Sequence, residues 1–343
     1  MPTIVSEKIK SFLLQAFISA FVTGIFTYLF FQKHPLIFLL GLLIGAQVFT
    51  YIFLFEHFFK KRLQNSYFLP MLIFSTLMYV LIIIFSVFIS FIILNKFDLE
   101  FLWSFDFREF ILSSTMMYGL IFGLIMSFLF NTYSMFNTLL GKNFLFRIFT
   151  GRYHNPFEEE RIFMFLDMKS STMIAEKIGH KAFLNLLNDF FLDLSEPVIA
   201  TKGEIYKYVG DEAIITWKMK PGLKMQSPVR SFYLFEDKIS HRTSHYLTKY
   251  GLVPQFKAGV HGGIVVTGEL GYTKKEITFL GDVLNTTARI EAVCNEFDKN
   301  LIISDELLQK MNLTDDHEIT PLGEMKFRGK ERTICISAVE KKN

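Results

Sequence analysis

The sequence predicts two domains of different class, an α-helical membrane domain followed by an α+β domain. Hydrophobic residues make up 51% of the 343 residues and the mean hydropathy is +0.32, which is too apolar for an ordinary soluble protein. Residues 1–150 contain 16 charged side chains, whereas residues 151–343 contain 53. The pattern also changes from long apolar runs to short alternating strands and helices after residue 160.

Four apolar runs have about the ~20 residues that a bilayer core demands of a helix. They cover residues 12–31, 35–55, 68–94 and 109–130. Lys and Arg are concentrated before the first run, in the second loop and after the fourth run. Because positive charge favours the cytoplasmic side, we expect both termini in the cytoplasm. Residues 1–131 are therefore predicted to form a four-span domain in the lipid bilayer of the cell membrane.

Small residues and the lack of charge restrict what these helices do. Gly41-x-x-x-Gly45 and Gly119-x-x-x-Gly123 let helix backbones approach closely, within one chain or between two. The middle of each run lacks a charged side chain, and such a side chain usually marks an ion or proton pathway. The sequence therefore argues against a channel or transporter.

Residues 132–157 form a predicted linker that changes from apolar to amphipathic and then to charged. This fits either a tether along the membrane surface or an element that couples a signal to the second domain. Residues 151–343 have a net charge of −1, so we expect no nucleic-acid partner. Cys294 and Cys335 are too far apart in sequence to indicate a disulfide framework or a cysteine metal site.

The second domain, residues 158–343, shows the periodicity of an α+β fold. The order βαββαβ predicts a sheet with helices packed on one face. Strands are predicted over residues 161–166, 204–209, 213–217, 255–269, 276–280 and 301–303, with a β region around 325–339, and helices over 172–200, 228–250 and 282–294.

Two carboxylates are predicted to converge beside this sheet. Asp167 follows the first strand, and Asp211 lies at the tip of the tight Gly210-Asp211 turn. Mg²⁺ takes one or two carboxylates and completes its shell with phosphate and water, so the pair suits a nucleotide-bound cation. Taken singly, Asp167 is better explained as a helix cap and Asp211 as a turn residue.

The combination of motifs resembles the class III adenylyl/guanylyl cyclase catalytic domain. The matching segments occur in the family's order at residues 165–172, 207–211, 280–289 and 328–330. The resemblance implies a ferredoxin-like core. It also implies a homodimer through the cyclase domain, because the family places metal-binding and base-binding residues on opposite partners and this chain has both sets.

By this resemblance, the metal ligands are Asp167, Asp211 and the backbone carbonyl of Met168, with two Mg²⁺ or Mn²⁺ ions in each active site. Phosphate binding falls to the backbone amides of Lys169, Ser170, Ser171 and Thr172, where many family members have Gly-Phe in place of Ser170-Ser171. Asn285 is matched to the residue that orients the ribose, Arg289 to the one that neutralises phosphate charge, and Lys330 to a phosphate-binding lysine. Ile264 stands where some members have a phosphate-binding Arg.

Lys207 and Thr278 match the positions that read the base. Adenine N1 accepts a hydrogen bond from an ammonium group, whereas guanine N1–H is itself a donor. Thr278 permits either base because a hydroxyl both donates and accepts. We therefore expect ATP as the substrate and 3′,5′-cyclic AMP and pyrophosphate as products. The alternatives are a guanylyl cyclase and a membrane receptor with a catalytically inactive nucleotide-binding domain.

Overall fold

A computed structural model describes residues 2–30, 35–63, 68–95, 153–273, 275–313, 316–326 and 333–342, together with eight positions between 117 and 132. The chain separates into two compact units, residues 1–149 and 150–343.

Long apolar helices form the described part of the first unit. They are α1 (Pro2–Phe30), α2 (Pro35–Leu63) and α3 (Phe68–Asn95). By length and composition, α2 and α3 each contain a segment able to cross a membrane, Phe38–Phe55 and Ile73–Ser90, while α1 contains a shorter apolar stretch. The fourth predicted run lies outside the described residues, apart from isolated positions.

The small residues of α2 pack against α1 of the same chain. A Cβ atom at Gly41 would lie 2.8 Å from the Cα of Gly24, and one at Gly45 would lie 2.8 Å from the Cα of Ala20. Ser19 also donates a hydrogen bond to the carbonyl of Gly45, at 3.1 Å. Close helix contact of this kind requires small residues. Of the two uses open to Gly41-x-x-x-Gly45, the structure therefore shows the one within a chain.

The second unit contains eight strands and seven helices among its described residues. The strands are β1 (Phe157–Met168), β2 (Glu204–Val209), β3 (Glu212–Lys218), β4 (Phe256–Leu270), β5 (Glu276–Leu280), β6 (Leu301–Ser304), β7 (His317–Met325) and β8 (Ile334–Lys341). The helices are α4 (Ser171–Ile178), α5 (His180–Ala200), α6 (Met219–Lys224), α7 (Ser227–His241), α8 (Thr243–Tyr250), α9 (Asp282–Ala292) and α10 (Asp305–Met311).

The strands form one sheet in the order β2-β3-β1-β4-β6-β8-β7, and β5 pairs with β4 outside this path. Strands β2, β3, β1 and β4 are antiparallel neighbours. Together with α4, α5, α7 and α8 they give the βαββαβ order of a ferredoxin-like core. This part of the predicted fold is confirmed.

The two faces of the sheet bury different clusters. Alternate residues of β1 join the main core, in which Leu186 of α5 and Phe235 of α7 are buried. Phe163 and Phe165 point the other way and pack with Phe279 of β5, as expected from the two-residue period of a strand. Helices α5 and α7 therefore cover one face of the sheet. The prediction that the helices pack on one face holds only for the βαββαβ core, because α9 covers the opposite face together with β5.

Several predicted elements were wrong in detail. The helix over 172–200 is two helices, because Gly179 has a φ of +84°, a conformation that favours glycine. The helix over 228–250 is interrupted at Arg242, and the one over 282–294 ends at Ala292. The β region around 325–339 is the end of β7 and most of β8. The short helices α6 and α10 were not predicted.

Candidate active site

The end of β1 and the turn between β2 and β3 form the acidic part of the site. Asp167 is paired with Glu212 of β3 on one side and with Lys257 of β4 on the other. Gly210 and Asp211 make the two-residue turn, and Gly210 has a φ of +64° that glycine adopts without strain. The register of β1 and β3 brings Asp211 beside Asp167, close enough to raise the pKa of the Asp167 carboxyl group. The fold thus brings together the two predicted metal-binding carboxylates.

The carboxyl groups at this end of the sheet are half-buried and close to one another, which raises the pKa values of Asp167 and Glu212. Burial, and then the charges of Asp211 and Glu291, raise the pKa of Asp167 to about 6 although Lys257 opposes the shift. Burial and the same group of carboxylates raise the pKa of Glu212 to about 7. Negative charge in excess of local positive charge is the environment that a divalent cation relieves.

The donor set agrees with a hard cation that also binds phosphate. Within the described part of the chain, His, Cys, Asp and Glu side chains form no metal-binding group of three or more. Two carboxylates and a backbone carbonyl leave coordination positions for phosphate and water, as Mg²⁺ requires. The Met168 side chain is buried in the main core, so its backbone carbonyl is the group left for a ligand.

A buried lysine that sequence reasoning missed supports this acidic group. Lys257 is only 6% exposed. Its Nζ lies 2.7 Å from Oε1 of Glu291 and 3.6 Å from Oδ2 of Asp167. A buried charge needs a partner, so a lysine inside an otherwise apolar strand was the available signal. From β4, Lys257 thus contacts the carboxyl groups of both Asp167 and Glu291.

The predicted phosphate-binding loop leads into α4. The Lys169 amide donates to the carbonyl of Gln255 at 2.8 Å, so the fold already uses one of the four predicted amides. Ser170 has a left-handed backbone with a φ of +58°, a conformation that glycine adopts more easily. Ser171 and Thr172 begin α4, where free amides suit phosphate oxygens.

The two predicted base-reading residues lie on β2 and β5. Lys207 donates a hydrogen bond to Oε2 of Glu276, with Nζ and oxygen 3.0 Å apart. The hydroxyl groups of Thr278 and Tyr206 are also 3.0 Å apart. Sequence reasoning identified Lys207 and Thr278 but missed both of their partners.

Helix α9 presents the residues matched to ribose and phosphate binding. Asn285 is exposed and Arg289 is half-buried, and they are one helical turn apart. Val283 and Ile290 anchor the helix in the core. Lys330, together with Arg328 and Gly329, lies outside the described residues.

Comparison with known proteins covers this second unit. The family model for the adenylate and guanylate cyclase catalytic domain matches residues 153–338. Adenylate cyclase 2 of Rhizobium meliloti (strain 1021) is 33% identical over 198 residues, which is 58% of this chain and 54% of that protein. Adenylate cyclase of Anabaena cylindrica is 24% identical over 188 residues, which is 52% of this chain and 36% of that protein. The chain thus matches about half or less of the length of these relatives.

A solved structure has the same fold. The structure of a bacterial light-regulated adenylyl cyclase aligns with a TM-score of 0.55 at 19% identity and covers 64% of each chain. The family match extends from the residues before β1 into β8 and takes in more than half of the sequence. The chain therefore belongs to the family of the adenylate and guanylate cyclase catalytic domain.

Proposed function

We propose that this protein is a membrane-bound adenylyl cyclase that converts ATP to 3′,5′-cyclic AMP and pyrophosphate. The observation that carries the proposal is the sheet register, which pairs Asp167 with Glu212 and so brings Asp211 beside it. The same sheet bears Lys207 on β2 and Thr278 on β5. The names of the two related proteins, both adenylate cyclases, agree with it.

Asp167, Asp211 and the backbone carbonyl of Met168 would hold two divalent cations, Mg²⁺ or Mn²⁺. When bound, such ions lower the pKa of the ribose 3′-hydroxyl and neutralise charge on the triphosphate. Lys257 Nζ lies 3.6 Å from Oδ2 of Asp167 and 2.7 Å from Oε1 of Glu291. Glu291 orients the lysine, and the lysine in turn keeps Asp167 oriented for metal binding.

The reaction is a displacement at the α-phosphorus. The ribose 3′-hydroxyl loses its proton to solvent, and its oxygen forms a bond to the α-phosphorus. The bond from that phosphorus to the α,β-bridging oxygen breaks at the same time, so that pyrophosphate leaves in line. Asn285 orients the ribose, while Arg289 and Lys330 neutralise charge that develops on the phosphoryl oxygens. The amides at the start of α4 bind phosphate oxygens.

Adenine is selected by Lys207 and Thr278. The Lys207 ammonium donates to adenine N1, and the Thr278 hydroxyl accepts from the 6-amino group. Guanine would place its N1–H donor against the Lys207 ammonium, which leaves both donors unpaired and costs affinity.

We assign the N-terminal residues 1–131 to four membrane spans with both termini in the cytoplasm, and residues 132–157 to the linker. The two candidate spans in α2 and α3 support this assignment. The spans act as an anchor or as a signal input. We further propose a homodimer in which Asp167 and Asp211 of one copy face Lys207, Thr278 and Asn285 of the other.

The experiment that tests the function is identification of the product. The full chain, purified in lipid nanodiscs, is incubated with Mn²⁺ and either ATP or GTP. We expect cyclic AMP and pyrophosphate in equal amounts from ATP, and much slower turnover of GTP. Release of ADP and phosphate, or a preference for GTP, would contradict the proposal.

The dimer is tested by mixing two inactive variants, Asp211→Ala and Asn285→Ala. A mixed dimer has one site with both defects and one with neither, so activity should return to a fraction of the wild-type value. A mixture that stays inactive after demonstrated subunit exchange would show that each site is built from one chain.

A further inference from the structure

Strand β2 contains a bulge at the position of Tyr206. Ile205 pairs with Ile215 of β3, and Lys207 pairs with the adjacent Ile214, so Tyr206 is the extra residue. In a regular strand, consecutive side chains point to opposite faces. A bulge disturbs this alternation and redirects a side chain.

The consequence is that two consecutive side chains of β2 both reach β5. The Tyr206 ring lies with its centroid 4.9 Å from that of Phe279, and its hydroxyl lies 3.0 Å from that of Thr278. The next residue, Lys207, is hydrogen-bonded to Glu276, which is also in β5. By contrast, the ring of Tyr208 lies 4.3 Å from Phe191 of α5, on the main-core side.

The Tyr206 ring is held by the core behind it. It meets Phe279 at an interplanar angle of 72°, and Phe279 is itself 7% exposed and in contact with Phe163 at 5.4 Å. The guanidinium of Arg161 lies 4.7 Å from the Phe279 ring centroid, and Arg161 is 2% exposed. Since this stack is fixed by packing, the hydroxyl of Tyr206 occupies a defined position next to Thr278.

A hydrogen bond to Tyr206 changes what Thr278 offers to a base. A threonine hydroxyl has one proton and two lone pairs, so a free one serves as donor or acceptor. If the Thr278 hydroxyl donates its hydrogen bond to the Tyr206 oxygen, only its lone pairs remain for a ligand. Lone pairs accept from the 6-amino group of adenine but repel the O6 acceptor of guanine.

We infer that Tyr206 is a positioning residue for base selection: its oxygen accepts the hydrogen bond that the Thr278 hydroxyl donates, so that Thr278 can only accept from a base. The inference rests on the proposed function, in which Thr278 faces the base. It explains how a residue type that permits both bases serves a site selective for adenine. Lys207 and Thr278 then both discriminate, one at N1 and the other at the 6-position.

The test is a double-mutant cycle between Tyr206→Phe and Thr278→Val, each of which removes one hydroxyl and keeps the shape of the side chain. Loss of a buried polar contact is worth about fivefold to tenfold in discrimination. Tyr206→Phe should therefore lower the ATP-to-GTP ratio of kcat/KM by about that factor. In the Thr278→Val background the same change should leave the ratio unaltered.

Tyr208→Phe is the matched control, because it removes a hydroxyl from the same strand on the side away from β5. It should leave the ratio at the wild-type value. An unaltered ratio in Tyr206→Phe, or an equal change with and without the Thr278 hydroxyl, would overturn the inference. If Tyr206→Phe does not fold, 3-fluorotyrosine at position 206 replaces it, because this residue keeps the ring and hydroxyl but accepts a hydrogen bond more weakly. It should lower the ratio in the presence of Thr278 and leave it unaltered in the Thr278→Val background, and an unaltered ratio in both would overturn the inference.

Failure of the proposed function is a separate outcome. A wild-type chain that forms no cyclic AMP overturns the function and this inference with it. A wild-type chain that prefers ATP, combined with a Tyr206→Phe variant of equal preference, overturns only the role of Tyr206.

Discussion

The two ends of the site handle charge in opposite ways. At the end of β1, Asp167, Asp211 and Glu212 gather more negative charge than Lys257 balances, and burial adds to the cost. Between β2 and β5, by contrast, Lys207 is paired with Glu276, 3.0 Å away. The first end has an excess of negative charge that a bound cation would relieve, whereas at the second end the charged side chain already has a partner in the protein.

A carboxylate elsewhere in the same domain shows what full pairing does. Burial alone would raise the pKa of Asp189, but hydrogen bonds from Lys249, His245 and Tyr250 outweigh burial and lower it to about 2. The corresponding distances are 2.8, 3.0 and 2.8 Å. Asp167, with one lysine at 3.6 Å, has a raised pKa instead. Partners therefore decide the sign of the shift.

Removing the charge of Asp167 should give the largest effect. Asp167→Asn keeps the shape of the side chain but loses a metal ligand, so we expect turnover to fall about a thousandfold, or about 4 kcal/mol. Asp211→Asn should behave alike. Both are measured as initial rates of cyclic AMP formation with Mn²⁺.

Asp167→Asn should not destabilise the metal-free protein. A carboxylate whose folded pKa is raised from 3.8 to about 6 destabilises the fold above that range, because charge is costlier in the folded state. Asp167→Asn removes this cost, so its melting temperature at pH 7.5 should equal or exceed that of the wild type. A clear decrease would mean that Asp167 is a structural residue instead.

Exchange of the base-reading pair should give the next effect. Lys207→Glu with Thr278→Cys places an acceptor against guanine N1–H, and we expect the ATP-to-GTP ratio of kcat/KM to fall about tenfold to a hundredfold. ATP should lose more than GTP gains, since the rest of the pocket is unchanged. An active double variant with unaltered preference would show that Lys207 does not read the base.

Local patterns predicted the scaffold of this site well. The alternation in β1 and β3 and the Gly210-Asp211 turn sufficed to place Asp167 and Asp211 side by side. These features depend on residues close in sequence and on the two-residue period of a strand. The βαββαβ order could be predicted from the sequence for the same reason.

Features that depend on partners distant in sequence could not be predicted from the sequence. The charge of the buried Lys257 is paired with Glu291 of α9. The strand propensity of the residues around Lys257 does not reveal such a pair. The bulge at Tyr206 interrupts an alternation that looks regular in the sequence. Its effect, the contacts with Thr278 and Phe279, joins residues 72 and 73 positions apart. The helix break at Gly179 was missed because glycine inside a helical pattern is often tolerated.

The paired carboxylate should give the smallest effect. The pKa of Asp189 is lowered from 3.8 to about 2, so its stabilisation is present above pH 3.8 and is lost as the pH falls through 2. Asp189→Asn should therefore cost about 1–2 kcal/mol at pH 7 and progressively less below pH 4. Unfolding followed by the fluorescence of the buried Trp217 measures it, and an equal loss at pH 2 and pH 7 would contradict the assignment.

The most direct test of the cation site is the binding of Mn²⁺ to the nucleotide-free full chain, followed by electron paramagnetic resonance at pH 7.5. Asp167→Asn should weaken binding at least about tenfold. Glu276→Gln, which removes a carboxylate at the base end, should leave it unaltered. Equal binding by wild type and Asp167→Asn, or weakening by Glu276→Gln alone, would contradict the account.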